Sequence, residues 1–315
     1  MTDLRHGIRA ASEQLRAVGV ASADVDAVEL AAHVLGVEAS EVRRLMVLGG
    51  RSLPESYAAL VDERARRVPL QHLTGRAHFR RLTLAVGPGV FVPRPETEVL
   101  VDLALTELTH LALSKQCFVS ERTAPTGRSL TNQCFDDESG GGQGLRVVDL
   151  CSGSGAIALS VKDEQPDVEV RGLELSPDAY AWAVANRDRL GLDVALVNGD
   201  ATEPCFEDWA GKVDVVTVNP PYIPLGAVPL DPEVRDHDPE VALYGGSDDG
   251  LAIPLRVVRV AAGLLRPGGL VLVEHADSQG KSLPRRMAAT GDWVEVLDHP
   301  DLSGRPRVTT ARRAG

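Results

Sequence analysis

The sequence predicts an α/β fold: a small N-terminal helical bundle, joined by a β-hairpin to a parallel sheet with helices on both faces. Three observations predict it. Apolar residues recur at steps of three and four over about the first seventy positions. From Leu145 onward, short apolar runs alternate with helical stretches, the rhythm of a parallel sheet. A turn rich in glycine, Cys151-Ser152-Gly153-Ser154-Gly155, directly follows the first of those runs, where open sheets of this kind bind ligands.

Composition sets the outer bounds. With 315 residues, 43% hydrophobic and 25% charged, the chain suits one full domain plus a smaller one, and wholesale disorder or a fibrous repeat is excluded. A formal charge of -12 argues against a protein that binds by neutralising nucleic-acid phosphates. The four cysteines, Cys117, Cys134, Cys151 and Cys205, have no C-x-x-C spacing and no nearby His pair, so free thiols in a reducing compartment are expected and no metal. The start, Met1-Thr2-Asp3-Leu4-Arg5, has no apolar stretch behind a basic end, and no run approaches the ~18 apolar residues of a membrane span. A cytoplasmic protein without membrane contact is expected.

Taken in order, Leu4, Ile8, Ala11, Leu15 and Val18 form one apolar stripe on one side of a helix, and Ala27, Leu30, Ala31 and Val34 repeat the pattern. Ser52-Leu53-Pro54-Glu55 has capping-box spacing with proline in the first turn, which predicts another helix from there to about Arg67. Residues 1–75 thus form the helical domain. Its ten acidic and nine basic residues nearly cancel, which suits a neutral docking surface or a plain stabilising cap. Residues 76–113 supply the hairpin and a linker helix: Phe79 to Val86 and Val90 to Val92 read as strands around Gly87-Pro88-Gly89, and a helix runs from Pro95 to about Leu113. Residues 114–144 lose periodicity, collect Ser, Thr, Gly, Asn and Gln, and read as a mobile surface insertion.

The catalytic domain is expected over residues 145–315. Strands are predicted at Leu145 to Leu150, Val168 to Leu173, Val194 to Val197, Val213 to Val218 and Leu270 to Val273. Trp293 to Leu297 and Arg307 to Thr310 close the sheet. Helices are expected at Ala156 to about Glu164, from Ser176-Pro177-Asp178 to about Leu190, and from Gly250 to Leu265.

Several residues carry chemistry. Glycines in the Cys151 to Gly155 turn let the backbone approach a ligand, and the helix N-terminus behind them offers free N–H groups to a nucleotide-like group. Gly153-x-Gly155-x-x-Ala158 also fits the dinucleotide fingerprint, so the turn alone does not choose between cofactors. Glu174, at the tip of the second strand, stands where a carboxylate accepts hydrogen bonds from ribose hydroxyls. Asp200 follows the third strand, placed either to border an adenine ring or to serve as a solvated turn residue. The decisive segment is Asn219-Pro220-Pro221-Tyr222, directly after the fourth strand. Two prolines stiffen the turn and remove donors. Asn219 adds a side-chain acceptor and Tyr222 a flat face, which makes a slot for a planar –NH2 group.

These residues carry a family resemblance. The chain resembles the HemK/PrmC family, the protein-(glutamine-N5) methyltransferases that act on peptide chain release factors. The likeness runs through the helical start, Phe91-Val92-Pro93-Arg94-Pro95-Glu96-Thr97-Glu98, the Cys151 to Gly155 turn and Asn219-Pro220-Pro221-Tyr222-Ile223. It continues through Glu240-Val241-Ala242-Leu243-Tyr244-Gly245-Gly246 and Gly268-Gly269-Leu270 to Glu274-His275. The resemblance implies a Rossmann-like S-adenosylmethionine-dependent methyltransferase domain behind a substrate-recognition domain. It also implies that Cys151, Ser152, Gly153, Ser154 and Gly155 line the cofactor S-adenosylmethionine and that Glu174 holds its ribose, with Asp200 and Asn219 also at the cofactor. Asn219, Pro220, Pro221 and Tyr222 would grip the glutamine of the Gly-Gly-Gln loop of a release factor, with Asn219, Pro220 and Tyr222 at the reacting nitrogen. The chain departs from the family pattern at Cys151, where many members have glycine, at Ala201, where some have an aromatic, and in the length of 114–144. That segment contains Gly141-Gly142-Gln143, the tripeptide the family methylates; chance in a glycine-rich linker explains it more simply than a pseudosubstrate.

Asn-Pro-Pro-Tyr alone also serves nucleic-acid methyltransferases acting on exocyclic amines, the nearest alternative. The acidic balance and the lack of a basic, aromatic insert oppose that reading, and no direct nucleic-acid binding is expected. An NAD-dependent reductase of the short-chain type needs Tyr-x-x-x-Lys, which the chain lacks. A binding module without turnover would keep its ligand affinity when Asn219 is replaced and have no turnover to lose.

Overall fold

The computed structural model describes the backbone of residues 2–122 and 144–315, with side chains described for 3–115 and 144–315. Most of the expected insertion, including Gly141-Gly142-Gln143, and the side chains of Cys117 and Cys134 therefore lie outside the described residues. The chain forms two compact units. One comprises Met1–His78, Thr83–Val92 and Ala227–Pro239; the other comprises Phe79–Leu82, Pro93–Gly226 and Glu240–Gly315.

The first unit opens with β1 (Thr2–Asp3), α1 (Leu4–Ala17), α2 (Ala23–Leu35), α3 (Ala39–Leu48), β2 (Ser52–Leu53), α4 (Glu55–Ala65) and α5 (Leu70–Thr74). Asp3 caps α1, its side chain accepting from the His6 N–H at 3.1 Å, and Gly36 ends α2 at φ 64°, a conformation that costs a residue with a Cβ. The stripe Leu4, Ile8, Ala11 and Leu15 is buried against Ala27, Leu30 and Ala31, so apolar burial builds this unit. Val18, the last residue of the expected stripe, falls beyond the end of α1 and is 45% exposed. The expected capping box does not form. Ser52 and Leu53 instead pair antiparallel with Asp3 and Thr2, and α4 starts after Pro54 without a side-chain cap. Strand pairing across the chain's start outcompetes the local hydroxyl.

The hairpin consists of β3 (Arg76–Phe79) and β4 (Leu82–Ala85), so its turn is Arg80-Arg81 and not the expected Gly87-Pro88-Gly89. Arg80 has φ 51°. Its N–H donates to Glu98 at 3.0 Å, and its guanidinium meets Glu164 at 2.5 Å and Asp102 at 2.6 Å. Those distant carboxylates fix a turn that two arginines would not choose locally.

After a 3-10 turn at Pro95–Thr97 come α6 (Glu98–Arg122), β5 (Arg146–Leu150), α7 (Ala156–Glu164), β6 (Glu169–Glu174), α8 (Pro177–Leu190), β7 (Val194–Asn198) and β8 (Val213–Val218). Then follow α9 (Pro232–His237), α10 (Ala252–Leu264), β9 (Leu265–Glu274), α11 (Ser282–Ala288), β10 (Trp293–Pro300) and β11 (Pro306–Arg313). The helix from Pro95 was expected to stop near Leu113; α6 runs to Arg122 because Leu113-Ser114-Lys115-Gln116 contains no breaker. Ser176 caps α8 and Pro177 occupies its first turn.

The sheet order is β10-β11-β9-β8-β5-β6-β7. Five strands are parallel, and the closing pair is antiparallel, β11 against β9 and β10 against β11. A short connection suffices for that final hairpin, whereas the parallel strands need longer crossovers, helical except between β7 and β8, where only a 3-10 turn at Glu207–Trp209 intervenes. Val148, Leu150, Val216, Val218, Val271 and Val273 fill the core with residues of α10 such as Val257 and Ala261. Among the described residues no helix is long and apolar enough to cross a membrane.

Candidate functional site

Strand β5 is the switch point of the sheet. The chain leaves it toward β6 and β7 on one side and returns to β8 on the other, so a crevice opens beyond its carboxyl end. The register fixes which residues line that edge. Leu150 pairs with Leu173 and Val218, Val218 pairs with Val273, and Glu174 pairs with Asn198. The next residue along each strand places Glu174, Cys151, Asn219 and Glu274 in one row. Separate motifs, up to 123 positions apart in sequence, thus meet at one sheet edge.

The glycine turn has the backbone that close approach needs. Cys151, Gly153 and Gly155 have φ of 65°, 56° and 83°. The left-handed value at Cys151 explains why glycine suits this position. Ser152 N–H donates to the Leu173 carbonyl at 3.0 Å and Gly155 N–H to the Ser152 carbonyl at 2.8 Å. A Cβ on Gly172 would come within 2.8 Å of the Ser152 hydroxyl, so this strand residue must be small for the turn to close over it. In contrast, a Cβ on Gly153 would meet nothing within 4 Å, which leaves open space in front of the turn. Ser154 is buried, and its carbonyl accepts from Asn186 Nδ2 at 3.1 Å.

Glu174 is tied into this turn. One carboxylate oxygen accepts from Gly153 N–H at 2.7 Å and the other from Ser176 N–H at 2.8 Å. Burial raises its pKa, with the Ser176, Gly153 and Leu175 N–H groups pulling the other way. Each oxygen keeps a lone pair for a further donor. An oriented carboxylate beside open space fits a ribose-bearing cofactor. Asp200 is exposed, and its Oδ1 accepts from both the N–H and the hydroxyl of Thr202 at 2.8 Å, as in a turn-forming aspartate. Burial pushes the Cys151 thiol well above its ordinary value, with the Glu174, Asp149 and Asp200 charges adding to the rise, which favours the protonated thiol over the thiolate.

The Asn219-Pro220-Pro221-Tyr222 corner is braced from behind. Ile223 N–H donates to the Leu243 carbonyl at 2.7 Å, and Gly245 N–H donates to the Ile223 carbonyl at 2.9 Å. Gln279 Nε2 donates to the Tyr222 carbonyl at 2.9 Å and to the Asp249 carbonyl at 2.8 Å. Gly250 packs so tightly that a Cβ would stand 2.1 Å from the Tyr222 carbonyl oxygen. The Glu240 to Gly246 stretch thereby acquires a physical task, since it holds Ile223 at the end of the corner from both sides of its peptide. Pro220 is buried, while Asn219, Pro221 and Tyr222 keep part of their surface.

Two residues without an assigned role in the sequence reading stand behind the slot. Asn219 Nδ2 donates to the Thr97 hydroxyl at 3.5 Å, and the Tyr222 hydroxyl donates to Glu274 Oε1 at 3.4 Å. Thr97 is 3% and Glu274 2% exposed. Burial pushes the Glu274 carboxyl up to about 7, drawn back by the Thr97 hydroxyl, Arg307 and Tyr222, while Glu96 adds to the rise. A carboxylate closing an apolar strand, Leu270 to Val273, was the available signal. Asp149 is buried as well, pushed to about 7 by desolvation, with Oδ1 accepting from the Thr217 hydroxyl at 2.8 Å. Among the described residues no cluster of three or more His, Cys, Asp or Glu side chains is arranged to hold a metal.

Comparison with known proteins gives this edge a context. Residues 8–75 match the PrmC N-terminal domain and residues 114–228 the methyltransferase small domain. The chain is 43% identical over 305 residues to the release factor glutamine methyltransferase of Streptomyces coelicolor, covering 96% of each chain. Identity to the protein of that name in Mycolicibacterium smegmatis is 41% with 99% of each covered, and to that in Bifidobacterium longum 39% with 95% and 96% covered. With such identity along nearly the entire length, the chain belongs to the release factor glutamine methyltransferase family.

Proposed function

We propose that this protein transfers the methyl group of S-adenosylmethionine to the side-chain amide nitrogen of the glutamine in the Gly-Gly-Gln loop of peptide chain release factors. The observation that carries the reading is the common strand-tip edge, where the glycine turn, Glu174 and Asn219-Pro220-Pro221-Tyr222 come together by register. In this reading residues 1–75 recognise the substrate and residues 145–315 carry catalysis, apart from Ala227–Pro239, which belongs to the helical unit.

When bound, S-adenosylmethionine supplies an electrophilic methyl carbon on a sulfonium sulfur. Cys151, Ser152, Gly153, Ser154 and Gly155 would offer backbone against it and Glu174 would take the ribose hydroxyls on its spare lone pairs, while Asp200, whose Oδ1 is held by Thr202, would have only Oδ2 to turn toward the adenine. An amide nitrogen is a poor nucleophile because its lone pair is delocalised. Asn219 Oδ1 and the Pro220 carbonyl accept its two hydrogens, Pro221 keeps the turn rigid, and Tyr222 supports the amide plane. Acceptors outside that plane favour pyramidalisation and stabilise the positive charge that builds on nitrogen, which after methylation gives up one of its two protons to solvent and returns to a neutral amide. Orientation of this kind contributes several kcal/mol, up to roughly 7–11 in the most favourable intramolecular cases.

The test is incubation of the purified full chain with radiolabelled S-adenosylmethionine and a release factor, beside a loop Gln→Ala variant and an RNA control. Label confined to the loop glutamine is expected. Label persisting in the Ala variant, or entering the RNA, would replace this reading with another.

A further inference from the structure

A proline has no N–H, so Pro220 and Pro221 cannot stitch their corner to its neighbours through amides of their own. The corner has to be held from outside. Its last carbonyl, that of Tyr222, accepts from Gln279 Nε2 at 2.9 Å, and the same Nε2, with two protons to give, donates to the Asp249 carbonyl at 2.8 Å. Gln279 Oε1 accepts from the Ala276 N–H at 3.0 Å. That third bond fixes which way round the amide stands, since a flipped amide would set its oxygen against two carbonyls and its –NH2 against an N–H. Gln279 is 3% exposed, so its partners rely on it and not on water.

Both ends of the contact are themselves fixed. Gln279 closes the 3-10 turn Asp277–Gln279 directly after β9; its N–H donates to the Ala276 carbonyl at 2.8 Å, and a Cβ on Gly280 would stand 2.4 Å from Pro306 Cβ on β11. The turn therefore sits hard against the sheet. On the other side the Tyr222 carbonyl lies against Gly250, which has φ 71° and no Cβ to push it away. By comparison, the Tyr222 hydroxyl is tethered loosely, at 3.4 Å from Glu274. The backbone end of Tyr222 is the firmly held one.

We infer that Gln279 is a positioning residue: its amide fixes the Tyr222 backbone and, through it, the height of the ring that supports the substrate amide. The inference rests on the reading of Tyr222 as the flat wall of the slot. A glutamine that only satisfied two buried carbonyls would lower stability when replaced and leave the chemistry alone. One that aims Tyr222 changes turnover, and does so only while the ring is there. A misplacement of about 1 Å near the reacting atoms costs about 100-fold in rate, and a corner still held at Ile223 should move less than that.

The experiment is a double-mutant cycle in the full-length chain, using radiolabelled S-adenosylmethionine and a release factor: wild type, Gln279→Met, Tyr222→Ala and the double variant. Methionine keeps the length of the side chain and removes its two donors. Turnover number, cofactor affinity by calorimetry and melting temperature are measured for each. The expected result is a turnover number about tenfold lower in Gln279→Met than in wild type, but less than about threefold lower when the same change is made in Tyr222→Ala, with cofactor affinity unchanged. Gln279→Met turning over at the wild-type rate would overturn the inference while the function stands. Equal losses in the two backgrounds would overturn it as well, because Gln279 would then act independently of the Tyr222 ring. Should the methionine variant not fold, Gln279→Asn takes its place in the cycle: it keeps an amide in the turn but draws it back by one methylene from the Tyr222 carbonyl, and the same two results count against the inference. A wild-type protein inactive on the release factor would remove the function and the inference together.

Discussion

Two groups of buried charge in this molecule solve the same problem in opposite ways. In the helical unit, Arg64 Nε meets Asp26 at 2.7 Å and its Nη1 meets Glu233 at 2.7 Å, while Arg67 adds a contact to Glu233 at 2.6 Å. Burial would raise the Glu233 carboxyl, but the Arg67 and Arg64 guanidiniums donating to it hold it well below its ordinary value. At the strand tips, Asp149 and Glu274 are just as buried, yet each has one oxygen without a hydrogen-bond partner and both are pushed to about 7. The first cluster is saturated and can only hold a shape. The second keeps polar capacity in reserve at the edge where a ligand would sit. Desolvation is costly in both, and what offsets it separates scaffold from site.

The largest expected effect breaks the saturated cluster. Arg64→Ala takes the arginine from buried Asp26 and one of the two arginines from Glu233, and should lower the unfolding free energy by about 3–5 kcal/mol in urea titration. A loss under ~1 kcal/mol would mean the cluster is not holding the unit together. Asn219→Ala should do the reverse, with turnover reduced by about 100- to 1000-fold, the scale of about 2.7–4 kcal/mol in the transition state. Its unfolding free energy should stay within ~0.5 kcal/mol of wild type. A matching drop in stability would erase the distinction between the two clusters.

The pH dependence of stability should differ in sign. Asp149 has its ordinary value of 3.8 in the unfolded chain and about 7 in the folded one, so between those values only the folded state holds the proton. Its contribution is therefore complete at low pH and lost as pH rises toward 7. Glu233 is depressed below 4.5, so its contribution is present above that value and lost as pH falls. Comparing urea midpoints at about pH 5 and about pH 8, wild type should weaken more than Asp149→Asn as pH rises. An identical change in both would show that Asp149 does not titrate in this window. The smallest effect is at Cys151. Replacing it with glycine relieves a left-handed conformation and should leave stability equal or up to ~1 kcal/mol higher, with turnover retained. A clear loss in thermal melting would show the thiol to be packed usefully.

Much of the catalytic half was legible because its signals are local. The alternation of Val147-Val148 with Ala156 to Glu164, and Pro177 behind Ser176, needs no distant partner to be read. The glycine turn, Glu174 and Asn219 sit at strand ends for the same reason. What escaped depends on partners far away. The hairpin turns at Arg80 because Glu164 lies 84 positions on, and Gly87-Pro88-Gly89 had the stronger local signature. Ser52 pairs with the chain's start, where two-residue strands leave no periodicity. Thr97 and Glu274 were visible as motif letters, but sheet register is what sets Glu274 beside Tyr222, and Thr97 reaches Asn219 from 122 positions away.

The membership of Ala227–Pro239 in the helical unit reaches beyond packing. Glu233, the counterion of Arg64 and Arg67, is encoded 169 and 166 positions downstream of them. A gene cut after residue 78 would therefore yield a front half in which Arg67 has lost its carboxylates and Arg64 keeps only Asp26, and a back half carrying an orphan helix. The front module is no interchangeable cassette: any lineage that recombines it must carry this distant stretch along, so the two are expected to drift in concert.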